Sequence, residues 1–299
     1  MHYVFEPGFF ASGPVHVALA VGTVVAITSA VVGVFTVTRG QSFAGHSLAD
    51  IATTGGSGAF LVGINQFWGY LAFGAGAAAF MEMIGIQRRR GRDVATGVVL
   101  GAALGLAALF LYLGTQYSTT TGASFTILFG SIFVLTPSSV PALIASALLA
   151  LATVVALARV LLLSSLSPDI AAARGVPVRA VGAAYLMALA VSVALSAVII
   201  GAVLSTALLI GPAATALRVA KGPVTAMAVA AGLGVAATWL GVLLAYDSFY
   251  WPPAGHGWPV SFFVVTLVVG GYLLSYLRPR GRRPVHAGTQ DTERVCSPA

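Results

Sequence analysis

The feature that most limits what this chain can fold into is its succession of long apolar runs separated by short polar breaks. The run from Ala142 to Leu163 is one of them. It does not alternate polar and apolar residues, as a strand of a membrane barrel must. It is also long enough to supply the roughly 20 residues that a helix needs to cross the hydrocarbon core. Lipid offers no water to backbone polar groups, so such runs resolve as helices that satisfy their own N–H and C=O groups. Only 8% of the 299 residues are charged, against about 25% in a soluble domain, too few to cover the chain in water. The expected fold class is an all-α integral membrane protein with about nine transmembrane helices.

The apolar runs place spans over about 16–38, 45–64, 67–86, 94–115, 140–163, 179–201, 203–219, 223–246 and 258–277. Residues 116–138 begin polar, at Thr119, Thr120 and Thr121, and turn apolar only from Phe125 to Leu135, so they read as a re-entrant or surface helix on the outer side. The chain divides into an extracytoplasmic N-terminus (1–15), a transmembrane domain (16–277) and a basic, disordered cytoplasmic tail (278–299). Residues 1–14 carry no basic start of the kind a cleaved signal peptide has, so the first span is expected to act as its own insertion signal.

The net charge of +7 is gathered into clusters: Arg88, Arg89, Arg90 and Arg92 form one, and Arg278, Arg280, Arg282 and Arg283 another. In a soluble chain such clusters suggest nucleic acid. In one this apolar they mark cytoplasmic loops, so no nucleic-acid partner is expected. With the Arg88–Arg92 loop inside, nine spans bring Arg174 and Arg179, Arg218 and Lys221, and the arginine tail to the same side, and send the loop from Asp247 to Gly257, which has no Lys or Arg, outside. The N-terminus then lies outside and the C-terminus in the cytoplasm. Gly97, Gly101 and Gly105 repeat at the spacing that lets helix backbones approach, and packing within the chain is the expected use of that face. The single cysteine, Cys296, permits neither an internal disulfide nor a thiolate metal cluster.

The chain has no phosphate loop, no H-E-x-x-H and no G-x-S-x-G, so neither a catalytic nor a nucleotide-binding site is predicted. The informative polar residues are those inside apolar runs. His46 and Asp50 stand at i and i+4, on one face of a helix. Ionisable groups in a span mark functional positions by default, because their burial is unfavourable. Imidazole with carboxylate suits a divalent ion such as zinc or manganese; the plain alternative is a pair that neutralises itself between helices or caps a helix at the interface. Asp247 and His256, in the outer loop, are either a first contact for an arriving metal or solvated charges beside an interfacial belt of Tyr246, Tyr250, Trp251 and Trp258. Glu82 near Arg88 reads as a snorkelling ion pair. Pro168 and Asp169 start, and Gly175 ends, a short cytoplasmic helix.

Several segments, in order, resemble the permeases of the ABC importers for zinc, manganese and iron. Gly45-His46-Ser47-Leu48-Ala49-Asp50 is similar to the family's Gly-Asp-Ala-Leu-Ser-His, with the two ligand types exchanged. Asp93 to Gly97, Leu128-Phe129-Gly130-Ser131-Ile132, Ala207 to Ala214 and Pro253-Ala254-Gly255 resemble further family segments, and Pro168-Asp169 to Gly175 resembles its coupling region. The resemblance implies a type II ABC importer permease fold in a bacterial plasma or inner membrane. It implies a transported divalent ion, zinc or manganese first, with no permanently bound cofactor. It implies a second permease copy as homodimer partner, cytoplasmic ABC ATPase subunits that hydrolyse the ATP, and an extracytoplasmic metal-binding protein. His46 and Asp50 would line the ion pathway, and Asp169, Ala173 and Gly175 would contact the ATPase. Two other functions fit the composition: a secondary transporter driven by an ion gradient, and an ABC permease for a metal chelate such as a siderophore.

Overall fold

The structure, a computed structural model, describes residues 8–84, 92–117, 122–130, 132–135, 137–251, 255 and 257–277. The Arg88–Arg90 cluster, Thr119 to Thr121, Ser131, Pro253, Ala254, His256, Cys296 and the arginine tail lie outside the described residues.

Eleven α-helices follow one another without a strand among the described residues. They are α1 (Gly13–Thr38), α2 (Ser42–Leu61), α3 (Gln66–Ile84), α4 (Arg92–Tyr117), α5 (Ala123–Phe129), α6 (Val140–Leu166), α7 (Pro168–Ala173), α8 (Val178–Ile200), α9 (Ser205–Val219), α10 (Pro223–Ser248) and α11 (Val260–Leu277). The nine predicted spans each coincide with one helix, and the segment read as re-entrant is the seven-residue α5 followed by a 3-10 turn, Ile132–Val134. Six helices (α1, α4, α6, α8, α10 and α11) are long and apolar enough to cross a membrane by themselves. The other three long helices are not. α9 has only 15 residues, with Pro212 inside it, and α2 is diluted by Gly, Ser and Thr.

Contacts at the helix ends sort into two levels, and the helices run alternately between them. One level joins the Phe9 ring to Tyr246 at 5.4 Å, Asn65 Nδ2 to Ser139 Oγ at 2.7 Å, and the α8–α9 break to α5. The other joins Arg39 to Ser164 at 3.0 Å and Arg218 to the ring of Tyr276 at 3.5 Å. The basic residues Arg39 and Arg218 therefore gather at one level, in keeping with the charge pattern of the loops.

α1 and α8 form the centre of the bundle; 67% and 72% of their apolar windows are buried, against 11% for α4. With lipid on the outside, burial itself does little to hold helices together, and close backbone approach and interhelical hydrogen bonds do the work. Ser29 of α1 shares hydrogen bonds with Ser196 (2.8 Å) and Ser192 (3.2 Å) of α8. A Cβ on Gly33 would overlap the Leu209 carbonyl of α9, and one on Gly55 would overlap the Gly69 carbonyl, so α1–α9 and α2–α3 pack backbone to backbone.

The level of Phe9 and Tyr246 is closed by two chain breaks that meet. Gly130, after α5, and Gly201, after α8, both take positive φ, 84° and 97°. The Ala202 N–H donates to the Ile127 carbonyl at 3.1 Å and the Val203 N–H to the Leu128 carbonyl at 3.4 Å. This accounts for the glycine in the Leu128-Phe129-Gly130 segment. Gly101 and Gly105 behave otherwise: a Cβ at either meets nothing within 4 Å. The expectation that their face packs within the chain is thus corrected. α4 turns this face away from its own bundle, because α2 meets it elsewhere, with Thr54 donating to the Ala103 carbonyl at 2.7 Å.

Glycine substitutions separate these roles. Gly33→Ala and Gly201→Ala are each expected to destabilise the fold by about 1–3 kcal/mol through overpacking, with added left-handed strain at Gly201. Gly101→Ala is expected to leave the melting temperature of the detergent-solubilised protomer unchanged. Equal melting temperatures for all three variants would contradict this packing.

Candidate functional site

α2 carries the ionisable pair. It begins at Ser42, directly after the α1–α2 corner, and its polar residues satisfy themselves within the helix. Ser47 donates to the Phe43 carbonyl at 3.0 Å, Thr53 to Ala49 at 2.8 Å and Ser57 to Thr53 at 2.7 Å. Such back-bonding lets a hydroxyl-rich helix pack into an apolar bundle. Leu48, Ala49 and Ala52 bury its opposite side. Gly45 lets it close on two neighbours, since a Cβ there would sit 3.2 Å from Leu209 and 3.5 Å from Thr36. Gly55 and Gly56 meet α3 at Gly69 and the Tyr70 ring. The backbone beneath the pair is therefore fixed on several sides.

On this helix His46 Nε2 stands 3.5 Å from Asp50 Oδ2, and the two side chains are 48% and 13% exposed. The structure brings the two residues together, as the i, i+4 spacing requires, with His46 turned out of its own bundle and Asp50 mostly covered by it. A half-exposed imidazole within a membrane bundle needs a polar surrounding: a water-filled cavity or another protein surface. Among the described residues no third His, Cys, Asp or Glu joins them to make a metal-binding group. One chain thus offers one nitrogen and one carboxylate, a partial donor set for a divalent ion.

At the other level α6 turns into α7. Ser167 caps this short helix, accepting from the Ile170 N–H at 3.4 Å; Pro168 takes its first turn, and Asp169 lies there too. The Gly175 N–H donates to Ala172 at 2.9 Å and the Val176 N–H to Ala171 at 3.1 Å, while Gly175 adopts φ 77°. This is a left-handed helix stop that glycine accepts readily. Ala171 is buried, whereas Asp169, Ile170, Ala173 and Gly175 are exposed. α7 is an outward-facing knob held between α6 and α8.

Two further features lay beyond sequence reasoning. Asp247 is not a solvated loop charge: α10 continues to Ser248, and the Asp247 side chain is completely buried. The aromatic residues do gather around it in sequence, Trp258 stacking on Phe263 at 6.0 Å and Trp251 lying edge-on to Phe263 at 6.1 Å. The Trp258 N–H, meanwhile, donates to Ser248 Oγ at 2.9 Å. The second feature is Arg39, which reads in sequence only as the end of the first span and here reaches across to α6 and α8. Glu82, read as a partner of Arg88, adds its field to Arg39.

The whole bundle, not only these segments, has known counterparts. The manganese import system permease protein ScaB of Streptococcus parasanguinis is 30% identical over 270 residues, covering 90% of this chain and 92% of that one. The manganese transport system membrane protein MntC of Listeria innocua is 28% identical over 81% of this chain and 85% of that one. In three dimensions the chain superposes on PsaBC from Streptococcus pneumoniae, solved in complex with Fab, with a TM-score of 0.76 at 25% identity, covering 90% of this chain and 93% of that one. It shares its fold, at 16% identity and a TM-score of 0.71, with a putative metal-chelate type ABC transporter in an inward-facing conformation, over 93% and 92% of the two chains. The family model described as the ABC 3 transport family matches residues 14–273. That match runs from the first turn of α1 to the last turns of α11, and the chain belongs to the ABC 3 transport family as one of its multi-pass permeases.

Proposed function

We propose that this permease carries manganese into the cell between two copies of itself, with His46 and Asp50 of each copy lining the route. The observation that carries the reading is the pair itself: an imidazole and a carboxylate 3.5 Å apart on α2, the first half-exposed and the second mostly covered. Relatives named as manganese import permeases supply the choice of ion. A carboxylate is a hard oxygen ligand suited to manganese, and one imidazole is compatible with it. Two ligands per chain are few, and that suits transport, because a conducting site must release what it binds. A second copy adds two more, and the open Gly101 and Gly105 face on α4 offers a surface for close helix contact with it.

Energy enters from elsewhere in this reading. Cytoplasmic ABC ATPase subunits press on α7 through the exposed Asp169, Ala173 and Gly175, and an extracytoplasmic metal-binding protein delivers the ion to the opposite level. The level that carries Arg39, α7 and Arg218 is then cytoplasmic, as the positive-inside rule asks, and the level of Phe9, α5 and Tyr246 faces outward.

Replacing the ligands tests the route. His46→Ala and Asp50→Ala are each expected to lower manganese uptake by at least about tenfold, since truncating a metal ligand or its close partner weakens a site by 10–100-fold, while the complex still assembles. Wild-type uptake by the double variant would sink the assignment. The coupling surface has its own test. Ala173→Glu and Gly175→Val are expected to cut copurification of the ATPase with the permease. Gly175→Val also opposes the φ of 77°, so circular dichroism of the purified permease must show the helix content intact; ATPase recovered at wild-type yield with both variants would count against α7 as the contact.

A further inference from the structure

Arg39 occupies a corner that joins the α2 helix to the end of α6 that leads into α7. It caps α1, its N–H donating to the Phe35 carbonyl at 2.9 Å. Ser42 then opens α2, and His46 follows one turn later. The corner between them is tight: Gly40 takes φ 64°, and the Gln41 N–H donates back to the Thr36 carbonyl at 2.9 Å. The hydrogen bond leaves no free loop between α1 and α2.

The Arg39 side chain leaves this corner for two other helices. Nη1 donates to Ser164 Oγ at 3.0 Å and to Ser165 Oγ at 3.5 Å, both in the last turn of α6, just before Ser167 caps α7. Its guanidinium carbon lies 5.2 Å from the centre of the Tyr185 ring on α8, and the Tyr185 hydroxyl is hydrogen-bonded to Thr36 Oγ1 at 2.8 Å. One side chain therefore links the foot of α2, the root of α7 and the central helix α8.

The partners are weak ones for a cation. Two hydroxyls and an aromatic face do not cancel its charge, and Nε is buried with no hydrogen-bond partner among the described residues. Burial disfavours the charged guanidinium, while Tyr185 and Glu82 favour it. Glu82, at the end of α3, acts through space, without an ion pair to Arg39 among the described residues. A permanent staple in this position is better served by a carboxylate or by apolar packing. A cation held by neutral hydroxyls can exchange one for another of the same kind, provided that no donor is left unpaired on the way.

We propose that Arg39 is a positioning residue for transport, passing movement of α7 and the end of α6 to α2 and thereby setting whether His46 and Asp50 hold or release the ion. This rests on the function proposed above, with α7 as the ATPase contact and the pair as the ion route. Ser164 and Ser165 sit on the same continuous helix end as the α7 cap, so they move with it. Arg39 follows its hydrogen bonds, and the tight corner carries the foot of α2 along. The two arrangements of the Arg39 contacts then bias the two states of the transporter, the minimum that coupling between distant sites requires.

The complete complex with its ATPase, reconstituted in proteoliposomes, tests this by measuring ATP hydrolysis and manganese uptake on the same vesicles. The variants are Arg39→Gln, Arg39→Lys, and Ser164→Ala with Ser165→Ala. All are expected to bind the ATPase and to hydrolyse ATP. Arg39→Gln is expected to carry about tenfold fewer ions per ATP, a mid-range coupling effect; Arg39→Lys and the serine pair are expected to fall between it and wild type. An unchanged number of ions per ATP in Arg39→Gln overturns the assignment, and so does a loss of uptake and hydrolysis in equal proportion, which a merely structural role would give. If Arg39→Gln fails to assemble, the serine pair decides by the same ratio. Wild type and His46→Ala run alongside. No ATP-dependent uptake by the wild type, or full uptake by His46→Ala, counts against the proposed function; a wild-type ratio in the Arg39 variants with both controls behaving counts against Arg39 alone.

Discussion

Inside a bilayer every backbone N–H and C=O must find a partner within the protein, and this constraint explains how a helical bundle tolerates interruptions. Gly130 and Gly201 end two helices in the same region, and the donors and acceptors freed by one break are taken up by the other, through Ala202 to Ile127 and Val203 to Leu128. Each glycine needs its positive φ, and each lies where a Cβ would strike the opposing backbone. The short α5 depends on this joint. Without it, the end of a seven-residue helix would expose its last carbonyls to an apolar surrounding. The shortness of α9 follows from the same joint, because α8 and α9 share a break that α5 fills.

Close packing through glycine has a second consequence, on α2. A helix with this many hydroxyls gains little from lipid and must be held by its neighbours. Gly45, Gly55 and Gly56 bring those neighbours to backbone distance, while Ser47, Thr53 and Ser57 return their hydroxyls to the helix itself. The polarity left over is that of His46, on the side the bundle does not cover, and of Asp50 at its edge. The rigidity of the buried side and the openness of the other belong together. A site that must hold an ion briefly benefits from fixed ligands and from a coordination shell that one chain leaves incomplete.

The bundle was largely legible in the sequence, because apolar runs and arginine clusters are strong, local signals. All nine long helices fall where the runs place them, and even the six-residue α7 follows from Pro168, Asp169 and Gly175, each of which acts within one turn. What escaped was long-range. Nothing local to Gly101 says that its face is open, since the spacing that packs two helices of one chain also packs two chains. Asp247 reads as a loop charge because the aromatic, Pro-rich stretch after it resembles a turn, whereas α10 continues through it to Ser248 and buries it. Arg39 was visible only as a span terminus. Its partners Ser164 and Tyr185 are more than a hundred residues away, and serine and tyrosine announce nothing in an apolar run.

The exchange of His and Asp relative to the order usual in the family bears on how such a site works. At i and i+4 either order places both groups on one face about one turn apart, so the set of donors is the same and only their depth along α2 is inverted. His46 lies nearer the Arg39 corner and is the more exposed; Asp50 lies deeper and is mostly covered. An ion entering from the level of α5 would then meet carboxylate before imidazole. On the proposed route the hard oxygen ligand would stand first and the softer nitrogen last, on the side where release would occur. The same order places the imidazole on the stretch of α2 that follows the Arg39 corner.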